Sequence, residues 1–275
     1  MTDNVTLSNA VRSNLLTLQI TQRSIDSTQT RLATGLRVNS ALDDASAFFA
    51  AAALNDRAAD LDGLKSDIDQ GISSLEAAIA GIEAITELAE QAKGLAITAK
   101  ATSDTNERSS LGVQFDALLT QIDAITNDTS FAGTNLLQAS PDNLTVNFNE
   151  DGSSTLTISG IDSTTGTGGI NIAGAVGNFA ADTNIDAAIT AVNNALTTLR
   201  TSASTLGSNA AVLTTRLDFT ENLANTLEGG AGKLTQADLN EESANLLALQ
   251  TRQQLGINSL SLAAQSERSI LALFG

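Results

Sequence analysis

The stretch Arg31-Leu32-Ala33-Thr34-Gly35-Leu36-Arg37-Val38-Asn39-Ser40-Ala41-Leu42-Asp43-Asp44-Ala45, continuing through Ser46-Ala47-Phe48-Phe49 to Ala53, decides the architecture. One amphipathic helix stops inside it and a much longer one starts. Gly35 follows the last apolar position of the first helix, where a left-handed cap costs glycine nothing. Arg31 and Arg37 lie near the negative end of that helix dipole. Ser40 stands three residues before Asp43, the spacing of a capping box with Asp in place of Glu. Asp43 and Asp44 place negative charge where the next helix exposes its first N–H groups. On these grounds alone the stretch is punctuation between two helices.

The same residues carry a family resemblance. Arg31–Ala45 resembles the N-terminal signature of bacterial flagellins. The continuation Ser46-Ala47-Phe48-Phe49-Ala50, together with Leu54-Asn55-Asp56-Arg57-Ala58 and Leu247-Ala248-Leu249-Gln250-Thr251-Arg252-Gln253-Gln254-Leu255, resembles the alphaproteobacterial type. The likeness covers roughly residues 5–138 and 185–275 and fades between them.

Composition narrows the chemistry. The 275 residues include no cysteine and no histidine. Thiolate nucleophiles, histidine general bases and histidine metal ligands are therefore absent. There is no tryptophan or tyrosine, only eight Phe, less aromatic mass than an enzyme core usually carries. A net charge of −17 leaves no basic stripe to neutralise phosphates, which excludes nucleic-acid binding. No run of eighteen apolar residues is long enough for a bilayer. Met1-Thr2-Asp3-Asn4 does not resemble a basic signal-peptide start, so no cleaved secretory signal is expected.

The pattern along the chain is mainly helical. Over 8–34, Val11, Leu15, Leu18, Gln22, Ile25, Gln29, Leu32 and Leu36 step by four and three, a heptad seam with two Gln that either fix register or flank a wider face containing Leu16 and Ile20. Over 44–100, Leu54, Leu61, Ile68, Leu75, Ile82 and Ala89 recur every seven, with Leu64, Gly71, Ala78, Ile85 and Ala92 at the second seam position. At about 1.5 Å per residue that helix reaches roughly 80 Å. Gly71 on the seam implies close helix approach; Gly63 and Gly81 read as exposed or at a bend. Residues 104–127 give a third helix with Asp104 as N-cap and Leu111, Phe115, Leu118, Ile122 and Ile125 inward. The strings Asn106–Leu111 and Phe131-Ala132-Gly133-Thr134-Asn135-Leu136-Leu137 resemble the flagellin pattern that closes this helix.

Composition changes at Pro141, the only proline. Leu144, Val146 and Phe148 alternate, as do Leu156 and Ile158, around Asp151-Gly152, which predicts a β-hairpin. A third strand is expected around Ile170–Ile172. Helix returns over 185–228, with Ile189, Val192, Leu196, Leu199, Ala203, Leu206, Ala210, Leu213, Leu217, Thr220, Ala224 and Leu227 inward, and Gly229-Gly230-Ala231-Gly232 ends it. Thr235-x-x-Asp238 opens the last helix. Leu246, Leu249, Gln253, Ile257, Leu260, Ala264, Leu271 and Phe274 form its apolar face. The expected fold is an elongated antiparallel helical bundle or coiled coil with a small β-hairpin region, the first helix beside the last.

No catalytic, cofactor-binding or metal-ligating residue is assigned, and no cofactor. Asn147-x-Asn149-x-Asp151-Gly152 starts like a calcium loop, but its twelfth position would be Ile158 instead of Glu. Gly166-x-Gly168-Gly169 lacks the third glycine of a dinucleotide loop and reads as a flexible turn. Asp43-Asp44 and Glu241-Glu242 fall at helix starts, where capping and solvation account for them. Asn127-Asp128-Thr129 and Asn143-Leu144-Thr145 match the N-glycosylation pattern by chance composition. The resemblance adds O-linked sugars as a possibility at Ser153, Ser154, Thr155, Ser163, Thr164, Thr165 and Thr167, though polar loop surface is the simpler account.

The resemblance implies a structural subunit of the bacterial flagellar filament, serving motility and exported to the extracellular side by a type III channel. It implies five segments: a filament-core helix and linker at 1–43, one part of a helical rod at 44–138, a variable hairpin region at 139–184, the second part of the rod at 185–232, and a C-terminal filament-core helix at 233–275. Paired terminal helices would drive polymerisation, with Leu16, Ile20, Leu247 and Leu255 left exposed for neighbouring copies. Implied partners are further copies of the chain, the flagellar export apparatus, a flagellin chaperone, and the filament cap and hook-junction proteins, with no nucleic acid and no membrane. Alternatives are a hook–filament junction protein or, from another class, a soluble coiled-coil scaffold or signalling module. Flagellins that activate the toll-like receptor for flagellin carry Arg-apolar-Arg-Glu-Leu where this chain has Gln91-Ala92-Lys93-Gly94-Leu95, so weak or no activation is expected.

Overall fold

The computed structural model describes residues 9–274. Five helices carry most of them: α1 Asn9–Thr34, α2 Ala45–Ala101, α3 Thr105–Asp128, α4 Asp182–Thr235 and α5 Leu239–Phe274. Strands β1 Asn143–Asn147 and β2 Thr155–Ser159 form an antiparallel pair, and a single 3₁₀ turn spans Val176–Phe179. The chain divides into two compact units. One holds the residues up to Arg57 and from Thr226 onward; the other holds Ala58–Asn225.

The Ala58–Asn225 unit contains the larger core. The seven-residue repeat of α2 is buried at Leu61, Ile68, Leu75, Ile82, Ala89 and Ala96, and again at Gly71, Ala78, Ile85, Ala92 and Ala99. Helix α4 answers with Ile185, Val192, Leu199, Leu206 and Leu213, and α3 with Phe115, Leu119 and Ile122. α2 and α4 run antiparallel. Lys100 pairs with Asp186, Arg200 with Glu90 at 3.9 Å and Lys65 with Glu221 at 3.8 Å, in reversed order along the two helices. Where α2 narrows to alanines, Phe115 and Phe179 fill the space edge to face, 5.2 Å between centroids.

Glycine has a packing role at Gly71 and Gly81. A Cβ at Gly71 would lie 2.7 Å from Val146 Cγ2, and one at Gly81 would lie 2.6 Å from Thr129 Oγ1 and 2.9 Å from Leu137 Cδ1. Gly81 is therefore a close-approach site, neither exposed nor at a bend; Gly63 does face open space.

The loop after α3 is held by one amide. Buried Asn135 donates through Nδ2 to the Thr126 and Asn127 carbonyls and accepts at Oδ1 from the Leu137 and Gln138 N–H groups. It thus satisfies carbonyls left open at the end of α3. Arg108 does similar work near the start of α3. Its Nε donates to the Thr102 carbonyl at 2.7 Å, Nη1 donates to Ala180, and Nη2 lies 2.6 Å from Asp182 at the start of α4. Asp104 caps α3 by accepting from the Asn106 N–H, as its position predicts.

The hairpin pairs Leu144 with Ile158 and Val146 with Leu156, and buries Val146 and Ile158 against the helices. Arg216 of α4 stacks over Phe148, 4.8 Å from its centroid. The third strand expected at Ile170–Ile172 does not form. Both isoleucines are buried, but Asn171 has φ 54, and the Ile170 and Ile172 N–H groups donate to Thr164 and Thr165 of the same loop. Nor is Gly166–Gly169 a free turn. Thr165 donates through N and Oγ1 to Asp123 of α3, both at 2.8 Å, and Ala175 N donates to Asp116 at 2.7 Å.

Helix α4 passes through Gly229-Gly230-Ala231-Gly232, which sequence propensity reads as its end. Ala231 is buried, and a Cβ at Gly230 would touch Leu54 at 3.5 Å. Burial of Ala231 is the packing gain set against the roughly 1 kcal/mol that each helical glycine costs; Gly229 faces open space.

Candidate functional site

The terminal unit is built around the punctuation at Gly35. Gly35 has φ 71 and donates its N–H to Arg31, closing α1 as a left-handed cap. Leu36 then bridges Gln236 in antiparallel fashion. The Arg37 and Val38 N–H groups donate to the Thr235 carbonyl, and Ala237 N donates to Gly35. Asp43 differs from a capping box. It accepts from the Asn39 and Ser40 N–H groups and the Ser40 hydroxyl, which folds a turn ahead of the helix. The Ser40 and Asn39 N–H groups hold its carboxyl below the usual range. Asp44 is the residue that caps α2, accepting from Ala47 N at 3.0 Å.

From this base α1 and α5 run antiparallel, side by side. Arg31 Nη1 reaches Glu242 Oε1 at 3.0 Å, and Gln253 Nε2 donates to Gln22 Oε1 at 2.7 Å. A Cβ at Gly256 would lie 3.2 Å from Leu18 Cγ. Glu242 is buried, so it is an inter-helix partner as well as a charge in the first turn of α5.

The seam on α1 is not quite the leucine-rich one. Val11, Thr21, Ile25 and Thr28 are buried, while Gln22 and Gln29 are exposed. On α5, Leu246, Leu249, Gln253 and Leu260 face inward as expected, with Gly256 in place of Ile257. The side chains of Leu271 and Phe274 lie outside the described residues.

Large apolar side chains remain outward on both helices, among polar ones. Leu15, Leu16 (55% exposed) and Ile20 (51%) line α1; Leu239, Leu247 (67%), Leu255 (63%), Ile257 and Leu262 (72%) line α5. Leu16, Ile20, Leu247 and Leu255 are the residues expected to be left open. After Glu242, no described side chain of α5 is buried. Exposed apolar side chains in this number are typical of a surface that meets a partner. Covering a half-exposed leucine returns roughly 1 kcal/mol, so these stripes together amount to several kcal/mol per copy.

The motifs weighed for ligand chemistry have local roles. Asn149 and Asp151 are spent on the hairpin turn, accepting from the Ser154 and Ser153 N–H groups. Bonding to Ser153 also holds the Asp151 carboxyl below its ordinary range. Among the described residues, no group of three His, Cys, Asp or Glu side chains converges as a metal site, and no helix is long and apolar enough to cross a membrane. Of the hydroxyls considered for sugars, Ser163 is buried and Thr165 donates to Asp123; Ser153, Thr155 and Thr167 are exposed.

The chain is similar to known proteins at both ends. Residues 6–142 match the bacterial flagellin N-terminal helical region, and residues 189–274 the bacterial flagellin C-terminal helical region. A flagellin of Brucella melitensis is 32% identical over 274 residues, spanning 94% of this chain and 95% of that protein. Flagellin FljK of Caulobacter vibrioides is 35% identical over 166 residues, 58% of this chain and 57% of that one. The crystal structure of Bacillus cereus flagellin aligns with a TM-score of 0.49 at 21% identity, over 56% of this chain and 88% of that one. Matches at both ends, and along nearly the whole length of one relative, leave a single assignment: the chain belongs to the bacterial flagellin family, and it is a self-assembling structural subunit of the extracellular flagellar filament, not an enzyme.

Proposed function

We propose that the α1–α5 pair is the part of the subunit that polymerises. The carrying observation is the pair of outward stripes, Leu15, Leu16 and Ile20 on one helix and Leu247, Leu255 and Leu262 on the other. In this reading residues 1–43 and 233–275 form the filament core, 44–138 and 185–232 the helical shell, and 139–184 the variable region. Replacing Leu247 and Leu255 together by Glu should raise the critical concentration for polymerisation at least tenfold while the monomer stays helical, as followed by sedimentation and circular dichroism. Filaments forming at the parent concentration would rule out this surface.

Export through the flagellar type III channel, without cleavage of a signal peptide, is the route that family membership supports. The export apparatus, a flagellin chaperone, and the filament cap and hook-junction proteins are the corresponding partners. Mass spectrometry of the N-terminal peptide from purified filaments checks the uncleaved start.

The segment Gln91-Ala92-Lys93-Gly94-Leu95 bears on innate recognition. Gln91, Gly94 and Leu95 line an open groove with Gln114, Ala117 and Leu118 of α3, and nothing lies within 4 Å of a Cβ at Gly94. The two arginines of receptor-activating flagellins are absent, and lysine does not reproduce a bidentate guanidinium. Reporter cells carrying the toll-like receptor for flagellin should respond weakly or not at all to monomer. A response equal to that of an enterobacterial flagellin would refute this.

A further inference from the structure

We propose that the Arg31–Glu242 pair is a latch that holds α1 against α5 within one chain and so positions the two outward stripes for assembly. The inference rests on the reading of those helices as the polymerising element.

Four observations carry it. First, the pair joins residues 211 apart in sequence, and its carboxylate side chain is only 10% exposed. Second, it stands where the Leu36–Gln236 backbone ladder gives way to two helices in contact. Third, beyond it α5 buries no further described side chain, and the buried seam of α1 mixes Val11 and Ile25 with Thr21 and Thr28. Seam positions repeated every three and four residues leave neighbouring registers similar, whereas a polar pair at one position specifies register strongly. Fourth, Gln22–Gln253 and Leu18–Gly256 fall in step with the same alignment further along the helices. A buried ion pair adds little to stability, yet removing one partner strands a buried charge. A charge reversal at either end therefore opposes this alignment directly.

The chain has no cysteine, so a pair of introduced cysteines reads the alignment without background. Leu18→Cys with Gly256→Cys suits this, because the Cβ position at 256 already lies against the Leu18 side chain. Disulfide formation in the full-length monomer and critical concentration for polymerisation, the latter on chains without the cysteines, are the two readouts. Glu242→Arg or Arg31→Glu should slow cross-linking and raise the critical concentration, each at least tenfold. The exchanged double variant R31E/E242R should restore both to within about threefold, given that a local charge reversal costs geometry as well as attraction. Single variants that cross-link at the parent rate would overturn the latch, as would a double variant that fails to recover. Recovery in an equal mixture of the two single variants would place the pair between copies and overturn its action within one chain. Slow cross-linking with normal polymerisation would instead sink the assembly role of the terminal helices, leaving only the intrachain alignment.

Discussion

A chain lacking residues 236–275 is expected to be a soluble, helical monomer that forms no filaments at any accessible concentration. The deletion removes α5 and leaves the Ala58–Asn225 core, from Ile68 to Leu213, untouched. It strips α1 of Glu242, Gln253 and the seam that covers Ile25 and Leu18. A helix of 26 residues is marginal in water when its stability comes from packing, so α1 should unwind as well. Sedimentation, microscopy and circular dichroism test the three parts of this outcome. Hydrogen exchange on the intact monomer should show the same hierarchy: fast amides along α1 and α5, slow ones along 54–92. Assembly would then add intersubunit burial to a terminal pair that opens easily in the monomer. Filaments from the truncated chain, or equal protection throughout, would contradict the scheme.

Replacing Gly160–Gly169 by a Gly-Ser linker is expected to destabilise the Ala58–Asn225 unit severely. As a polar, glycine-rich insertion the segment looks dispensable, since surface loops usually tolerate such changes. Its contacts say otherwise. Gly160 N donates to Asp142, Ile161 N to Leu136, Ser163 N to Leu137, and Thr165 makes two bonds to Asp123. At about 0.5–1.5 kcal/mol each, losing them amounts to roughly 3–7 kcal/mol. A domain of this kind has about 5–15 kcal/mol in hand, and the loss corresponds to a Tm lower by about 10 °C or more. Calorimetry measures it directly; an unchanged Tm would mean that the loop merely rests on the surface.

Much of this was readable from residue order, and the exceptions share a cause. The repeat Leu61, Ile68, Leu75, Ile82 reports a helix buried along one stripe, and the structure buries that stripe. In α1 the heptad seam misleads. Leu16 and Ile20 face outward as expected, but Leu15, Gln22 and Gln29 of the expected seam are exposed too, while Thr21 and Thr28 are buried in their place. The helix runs on through Gly229–Gly232 and buries Ala231, a tertiary contact that local propensity does not report. Glu242 looks like an N-terminal helix charge until Arg31 is found across from it. Asp116 and Asp123 look solvated until Ala175 and Thr165 are seen bonded to them. Periodicity reports which face of a helix is buried, but not what lies on the other side.

The backbone ladder of Leu36 and Gln236 has a consequence for how such chains can change length. It ties the segment that leaves α1 to the segment that enters α5, so the rotational phase of one helix is counted from the same point as that of the other. One residue inserted between Gly35 and Val38 would turn α1 by about 100° relative to α5. Arg31 would then swing away from Glu242, and Gln22 away from Gln253. An insertion in the Asn149–Ser153 turn carries no such penalty, because that turn ends a hairpin and sets the phase of nothing beyond it. Length variation among related subunits should accordingly collect at the hairpin tip and be excluded from the ladder, or else occur on both of its sides at once.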